Sequence, residues 1–223
     1  MQAHERKYSE SKVCPRVCAV ACICSRAIVC SKHVSSLASR SEVLPNELQE
    51  EASPLFNELM QGVSYLGEAS IAAALTVIAV VTFALRRQWR EAIFMLATTS
   101  NILLTFALKE LIHRARPFPM PVNANGFIQN INQYSYPSGH VLFFVVFFGF
   151  FAYLAWMNFA GRVRTIVIAT CAVLIILIGP SGVFLGAHWA SDVLGGYLIG
   201  TIWLSILIFA HQLAIRRKFN DPA

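Results

Sequence analysis

The stretch VLFFVVFFGFFAYLAWMNFAG, Val141–Gly161, carries no charged residue and is long enough to cross a lipid bilayer as a helix. Four other uncharged runs have comparable length: Ala69–Leu85, Ala92–Leu108, Thr165–Ala187 and Val193–Ala210. Backbone polar groups in lipid must be satisfied within the segment itself, so each run is expected to be helical. The sequence therefore predicts an all-α, polytopic transmembrane helix bundle with five spans in a single domain.

The charge distribution supports a membrane protein and argues against a nucleic-acid partner. The chain is 56% hydrophobic and only 13% charged, whereas soluble domains carry about 25% charged residues. Its positive charge lies in alternate loops, as the positive-inside rule requires. The clusters are Arg86, Arg87 and Arg90; Arg162 and Arg164; and Arg216, Arg217 and Lys218. These clusters and the C-terminus are predicted to be cytoplasmic, and the loops at roughly 113–139 and 180–190 extracytoplasmic.

Residues 1–40 form an atypical cysteine-rich segment ahead of an amphipathic segment at 41–68 and a transmembrane domain at 69–218. Five of the six cysteines lie in the first segment: Cys14, Cys18, Cys22, Cys24 and Cys30. Their spacing lacks a Cys-x-x-Cys pair, which argues against a metal site. The sequence leaves four alternatives open for this segment: a disulfide, a lipidated cysteine, a signal-like segment and a sixth span over Val13–Cys30.

The acidic segment at 41–68 contains a helix start at Ser53-Pro54, with proline at the first helical position. Apolar residues then recur near one helical face: Leu55, Phe56, Leu59, Met60 and Val63. This pattern predicts an amphipathic helix on the outer surface of the bilayer, although an ordinary connecting helix would show it too.

Two cations follow the second predicted span. Lys109 and Arg116 are seven residues apart and would share a direction if the helix continued to Pro117. Converging Arg and Lys side chains suit a phosphate dianion, since Arg offers a planar fork and Lys a point charge. An interfacial pair that reaches toward lipid headgroups is the alternative interpretation.

The sequence Pro137-Ser138-Gly139-His140 directly precedes the phenylalanine-rich span and is predicted to form a helix N-terminus. Free backbone N–H groups and the helix dipole make such an end an anion site. His140 at its mouth could protonate a leaving oxygen. Ser138 could instead be a simple N-cap.

His188 and Asp192 form an i, i+4 pair at the start of the last span. An aspartate held against one ring nitrogen would fix the histidine tautomer and leave the other nitrogen free to attack. A structural capping pair is the alternative.

We call the three short sequences that carry these residues the three strings. Together they form an ordered pattern on one side of the bundle. They read Lys109–x6–Arg116-Pro117, then Pro137-Ser138-Gly139-His140, then Ser181-Gly182–x5–His188–x3–Asp192. The pattern resembles that of the type 2 phosphatidic acid phosphatases, which are relatives of the vanadium-dependent haloperoxidases. The motifs cover residues 109–192, and the helical layout extends the resemblance over roughly 54–215.

The resemblance implies a six-helix, all-α membrane enzyme that hydrolyses a lipid phosphate or diphosphate without a metal or other cofactor. It implies that His188 is the nucleophile that forms a phosphohistidine, that Asp192 orients it and that His140 is the general acid. The implied phosphate-binding residues are Lys109, Arg116, Ser138 and Gly139. The substrates it suggests are phosphatidic acid, phosphatidylglycerol phosphate and undecaprenyl diphosphate.

One position departs from the family pattern. Gly182 stands where the family has an arginine that binds phosphate. We expect this replacement to weaken the enzyme. It also favours the alternative of a catalytically degenerate protein that binds lipid phosphate. Arg114 lies about 200° from Arg116 on an ideal helix, so it is not expected to replace the missing cation.

Overall fold

The computed structural model describes residues 52–116 and 134–220, with side chains as far as residue 216. The predictions for residues 1–51 and for Pro117 lie outside the described residues. Seven helices occupy the described part of the chain: α1 (Pro54–Tyr65), α2 (Ala69–Leu85), α3 (Trp89–Ala97), α4 (Ser100–Ile112), α5 (Gly139–Asn158), α6 (Gly161–Phe184) and α7 (Ala190–Asn220).

The predicted all-α class is confirmed, because the described residues hold no strand beyond an isolated bridge between Ala115 and Tyr134. Four segments are long and apolar enough to cross a membrane unaided: α3 with α4, α5, α6 and most of α7. Helix α2 has the bounds of the first predicted span, but it reaches spanning length only together with α1, across a bend of 63°. The count of five spans therefore stays a prediction.

Helix α5 is the central element and packs against α3, α4, α6 and α7. Its phenylalanines fill the core, with the rings of Phe143 and Phe147 stacked at 5.1 Å and Phe144 and Phe150 fully buried. Between helices in lipid, such close packing supplies association energy that the hydrophobic effect does not. The N-terminus of α5 is thereby held in the middle of the bundle.

Two glycines bring α7 against α5. A Cβ atom at Gly196 would lie 3.1 Å from Val141, and one at Gly200 would lie 3.0 Å from Val145. The Gly-x-x-x-Gly spacing is a common device for close helix approach in membranes. The contact also sets the first turns of α5 and α7 side by side, so that the Ser138 amide donates to the Asp192 carbonyl at 3.2 Å.

Helix α1 begins as predicted, with Ser53 as its N-cap and Pro54 in its first turn. Met60 and Val63 are buried, whereas Leu55 and Leu59 are exposed, so only part of the predicted apolar face meets the protein. The α1 backbone is tied to α6 because the Ser181 hydroxyl donates to the Met60 carbonyl at 2.7 Å. The motif serine at 181 therefore anchors α1.

Helix α4 does not continue as far as Arg116. It stops at Ile112, and His113 adopts the left-handed conformation with φ 50° and ψ 35°. Residues 114–116 then run beside residues 134 and 135, where the Ser135 amide donates to the Arg114 carbonyl at 2.8 Å. Lys109 and Arg116 would share a direction only if the helix continued between them, and that condition is not met, because the left-handed residue turns the chain.

Candidate active site

A cavity of about 270 Å³ lies at the end of the bundle where the three strings meet. It is bounded by the α1–α2 bend, the segment after α4, the start of α5, the end of α6 and the segment before α7. The residues that line it are Ser64, Tyr65, Glu68, Arg116, His140, Ile178, Gly182, Ala187 and His188. The structure thus brings one residue from each predicted string, Arg116, His140 and His188, to a single cavity.

His188 is held with one ring nitrogen available for reaction. Its side chain is buried, and Nδ1 lies 2.9 Å from the Ser135 carbonyl oxygen. A carbonyl only accepts, so the hydrogen-bond network assigns the proton to Nδ1 and leaves the Nε2 lone pair free. The Cδ2 edge that carries Nε2 lies 3.7 Å from where a Cβ would stand at Gly182, on the cavity wall.

Burial keeps the His188 ring neutral. It lowers the pKa of His188 to about 3, with further lowering by the positive charges of Arg116 and Lys109. A neutral ring retains a lone pair at physiological pH, as a nucleophile requires. Lys109, buried in the last turn of α4, therefore acts on the site through its charge although it does not line the cavity.

Asp192 does not hold the His188 ring directly. The closest distance, from Asp192 Oδ2 to His188 Nδ1, is 4.0 Å, which is too long for a hydrogen bond. Arg114 Nη1 donates to Asp192 Oδ1 at 2.7 Å, and the Trp189 amide donates to Oδ2 at 3.1 Å. The i, i+4 spacing brings the His188 and Asp192 side chains within ion-pair distance. It does not hold the carboxylate directly against the ring nitrogen, because His188 precedes α7 instead of lying in it.

Four side-chain hydrogen bonds join the segment after α4 to the first turn of α7 and the residues just before it. Besides the bond to Asp192, Arg114 Nη1 donates to Ser191 Oγ at 2.7 Å. Trp189 Nε1 donates to the Ala115 carbonyl at 3.2 Å, and Arg116 Nη1 donates to the Ala187 carbonyl at 3.0 Å. Sequence reasoning missed Ser135, because a backbone carbonyl leaves no side-chain signal. It also missed the Arg114 contact, although an outward arginine near an outward aspartate was a signal for one.

The predicted helix N-terminus at α5 is confirmed, with Ser138 as the N-cap residue. The Ser138 side chain makes no capping hydrogen bond, and its Oγ is a buried atom without a partner among the described residues. The Ser138 amide is already donated to the Asp192 carbonyl, so it is not free for an anion as predicted. The first N–H groups of α5 have no intrahelical acceptor, but Ser138 and Gly139 do not line the cavity.

Gly182 lies in the last turn of α6 and not in a loop as predicted. It lines the cavity, and a Cβ there would meet only His188, at the ordinary contact distance of 3.7 Å. The position thus faces the cavity and has room for a side chain. The expectation that Arg114 does not replace the missing cation agrees with the structure, because Arg114 is held by Asp192 and Ser191 and does not line the cavity.

Comparisons of the sequence and of the fold with known proteins indicate one protein family. The model of the PAP2 superfamily matches residues 90–216, more than half of the chain. Phosphatidylglycerophosphatase B of Bacillus subtilis (strain 168) is 30% identical over 83% of this chain and 89% of its own length. An undecaprenyl-diphosphatase of Sulfolobus acidocaldarius is 32% identical over a shorter region, 48% of this chain and 47% of that protein.

A solved structure shows the same architecture. The crystal structure of a transmembrane PAP2 type phosphatidylglycerolphosphate phosphatase from Bacillus subtilis superposes with a TM-score of 0.64. It is 27% identical, and the match covers 82% of this chain and 90% of the other. Family model, sequence relative and fold agree, and the chain belongs to the PAP2 superfamily.

Proposed function

We propose that this protein is an integral membrane phosphatase that hydrolyses a lipid phosphate through a phosphohistidine on His188. The observation that carries the proposal is the tautomer of His188. Its Nδ1 proton is directed to the Ser135 carbonyl, and its Nε2 edge faces a cavity shared with Arg116 and His140. A neutral, oriented imidazole beside an arginine suits attack on a phosphoryl group.

The reaction proceeds in two displacements. The Nε2 lone pair of His188 attacks phosphorus and the bond to the leaving oxygen breaks. His140, which enters the step as an imidazolium, donates a proton to that oxygen and becomes neutral. Water then attacks the phosphohistidine, His140 accepts a proton from the water, and the P–N electron pair returns to Nε2. The proton stays on Nδ1 throughout, hydrogen-bonded to the Ser135 carbonyl oxygen, so the ring changes charge without changing tautomer.

Positive charge at the site takes the part that a divalent metal plays in many phosphoryl-transfer enzymes. Arg116 lines the cavity, and the charge of Lys109 reaches His188. The unpaired Ser138 hydroxyl and the N-terminus of α5 add uncharged donors. We therefore infer that catalysis is metal-independent, and we expect full activity in excess chelator. Loss of activity that returns with added Mg²⁺ would contradict this.

The active site is proposed to face away from the cytoplasm, with the C-terminus inside. The support is the placement of arginine clusters at the opposite ends of the helices. A cysteine placed at Ser191 should react with a membrane-impermeant thiol reagent in intact cells, whereas one placed at Arg162 should not, both in a background without native thiols. The reverse labelling would place the chemistry in the cytoplasm.

The central experiment measures phosphate release from short-chain phosphatidic acid and phosphatidylglycerol phosphate in detergent. Wild type should release phosphate and form an acid-labile phosphoprotein, and His188→Asn should do neither. Asparagine can still donate a hydrogen bond to the Ser135 carbonyl, so we expect His188→Asn to fold. Thermal unfolding of the variant checks this. Phosphate release by folded His188→Asn at the wild-type rate would exclude the phosphohistidine mechanism.

Gly182 supports a second candidate, a protein that binds lipid phosphate without hydrolysing it. The position faces the cavity but carries no cation. In that case wild type and His188→Asn would bind the lipid phosphates equally well, and neither would release phosphate. The retained His188, His140 and Arg116 in one cavity make the enzyme the favoured candidate.

A further inference from the structure

The bend between α1 and α2 forms one wall of the active-site cavity. We call residues 64–68 the elbow; it contributes Ser64, Tyr65 and Glu68 to the lining. None of these residues belongs to the three strings that define the catalytic pattern. The elbow is therefore a part of the site whose chemistry the catalytic pattern does not specify.

The elbow lies directly against the proposed general acid. A Cβ atom at Gly67 would clash with the His140 ring and would also lie 3.2 Å from Phe144. Only a residue without a side chain allows the elbow backbone to approach this closely. Because His140 gives its proton to the leaving oxygen, the group that leaves with that oxygen must lie on the elbow side of the cavity.

Glu68 places a negative charge on this side. It is solvent-exposed, it lines the cavity, and no ion pair involves it among the described residues. On the α6 wall, Gly182 contributes no cation that could neutralise it. The leaving group thus meets a carboxylate that makes no ion pair among the described residues.

We propose that Glu68 is a specificity-determining residue that favours lipid phosphomonoesters over lipid diphosphates. The inference rests on the proposed function and concerns the same cavity. From a phosphomonoester the leaving group is the lipid alcohol, which is neutral once protonated and can donate a hydrogen bond to a carboxylate. From a lipid diphosphate the leaving group is the lipid monophosphate, which is negatively charged and is repelled by Glu68.

Two substrates with the same tail isolate this effect. Farnesyl phosphate and farnesyl diphosphate share one prenyl alcohol and differ only in the second phosphate. Wild type should have the higher kcat/KM for the monophosphate. Glu68→Gln should raise the kcat/KM for the diphosphate, relative to the monophosphate, by at least about fivefold, the size of a ~1 kcal/mol interaction between charges at partly hydrated positions.

Matched variants separate position from charge. Glu68→Asp keeps the charge and should keep the wild-type preference. Glu58→Gln removes the same charge from the exposed surface of α1, outside the cavity lining, and should leave the preference unchanged. The difference between wild type and Glu68→Gln should also shrink at high ionic strength, since salt screens exposed charges.

The outcomes are distinguishable. If both substrates are hydrolysed and Glu68→Gln leaves their ratio unchanged, this inference is wrong while the proposed function stands. An equal change in Glu58→Gln would attribute the effect to surface charge and would overturn it as well. If wild type releases phosphate from neither substrate nor from phosphatidic acid, the proposed function fails and the inference fails with it.

Discussion

Arg114→Gln tests whether the Arg114–Asp192 pair supports the nucleophile. Arg114 Nη1 donates to Asp192 Oδ1 at 2.7 Å, and the carboxylate is fully buried while the arginine side chain is 39% exposed. Glutamine keeps a polar donor at this position but removes the positive charge. The substitution therefore leaves a buried carboxylate without a cationic partner.

The expected loss of stability follows from the full burial of the Asp192 carboxylate and the partial exposure of Arg114. Removing one partner of a fully buried ion pair costs about 3–5 kcal/mol, because the remaining charge is left uncompensated. Solvent screens the exposed part of Arg114, and the Trp189 amide still donates to Asp192. We therefore expect Arg114→Gln to lower the free energy of unfolding by about 2–3 kcal/mol.

Activity should fall through kcat. Asp192 lies 4.0 Å from Nδ1 of His188, the proposed nucleophile, so removing its cationic partner changes the charge beside that ring. Arg114 does not line the cavity, so KM should stay within about twofold of the wild-type value while kcat falls by roughly tenfold or more, ~1.4 kcal/mol of barrier.

The assay is a double-mutant cycle with Asp192→Asn, measured by chemical unfolding in detergent micelles and by steady-state phosphate release. In the Asp192→Asn background, Arg114→Gln should cost less than about 1 kcal/mol, since no buried charge remains. Arg164→Gln is the matched control, because Arg164 stacks over Trp156 at 4.5 Å near the opposite end of α6. A single Arg114→Gln variant with unchanged unfolding free energy, or a cycle without coupling, would refute the reasoning.

Two further predictions concern the cavity. Gly182→Arg should raise kcat for a lipid phosphate by at least about tenfold, since a Cβ at 182 fits beside His188 and a guanidinium there would stabilise phosphoryl charge. Single-turnover assays measure this rate. A folded variant that is no faster would show that the missing cation does not limit the rate. The pKa of His188 is about 3 in the folded protein and 6.5 in the unfolded chain. Between pH 6.5 and pH 3 the unfolded chain therefore binds more protons than the folded protein, and the free energy of unfolding decreases as the pH falls through this range. Between about pH 7.5 and about pH 5 that loss is ~2 kcal/mol, and His188→Asn should be less acid-sensitive by this amount in thermal unfolding; equal sensitivity would mean that the ring is not buried in its neutral form.

Local features of the chain were readable from the sequence because their causes are local. An uncharged run such as Val141–Gly161 must satisfy its own backbone, so it is helical, and α5 covers most of it. Ser53-Pro54 and Ser138-Gly139 mark helix starts by the chemistry of their own side chains, and both starts are present. The motif spacing identified the family before any contact was known.

The contacts of the catalytic residues depended on how helix ends meet. The left-handed His113 ends α4 after Ile112, so the spacing from Lys109 to Arg116 is not a helical one. His188 lies just outside α7, so its partner is the carbonyl of Ser135, which is distant in the sequence. Where a residue falls relative to the last turn depends on packing between helices, and a one-residue difference rotates a side chain by about 100°.

The sequence by itself determined the helical class, the membrane setting and the residue types of the site, because composition, periodicity and motif spacing are properties of short segments. Only the tertiary structure decided that Asp192 is paired with Arg114, that the Ser135 carbonyl binds His188 and that the elbow with Glu68 forms a wall of the cavity. Each of these contacts joins segments far apart in the chain. Glycines allow the close approach of α7 to α5 and of the elbow to His140, which the sequence pattern alone did not reveal.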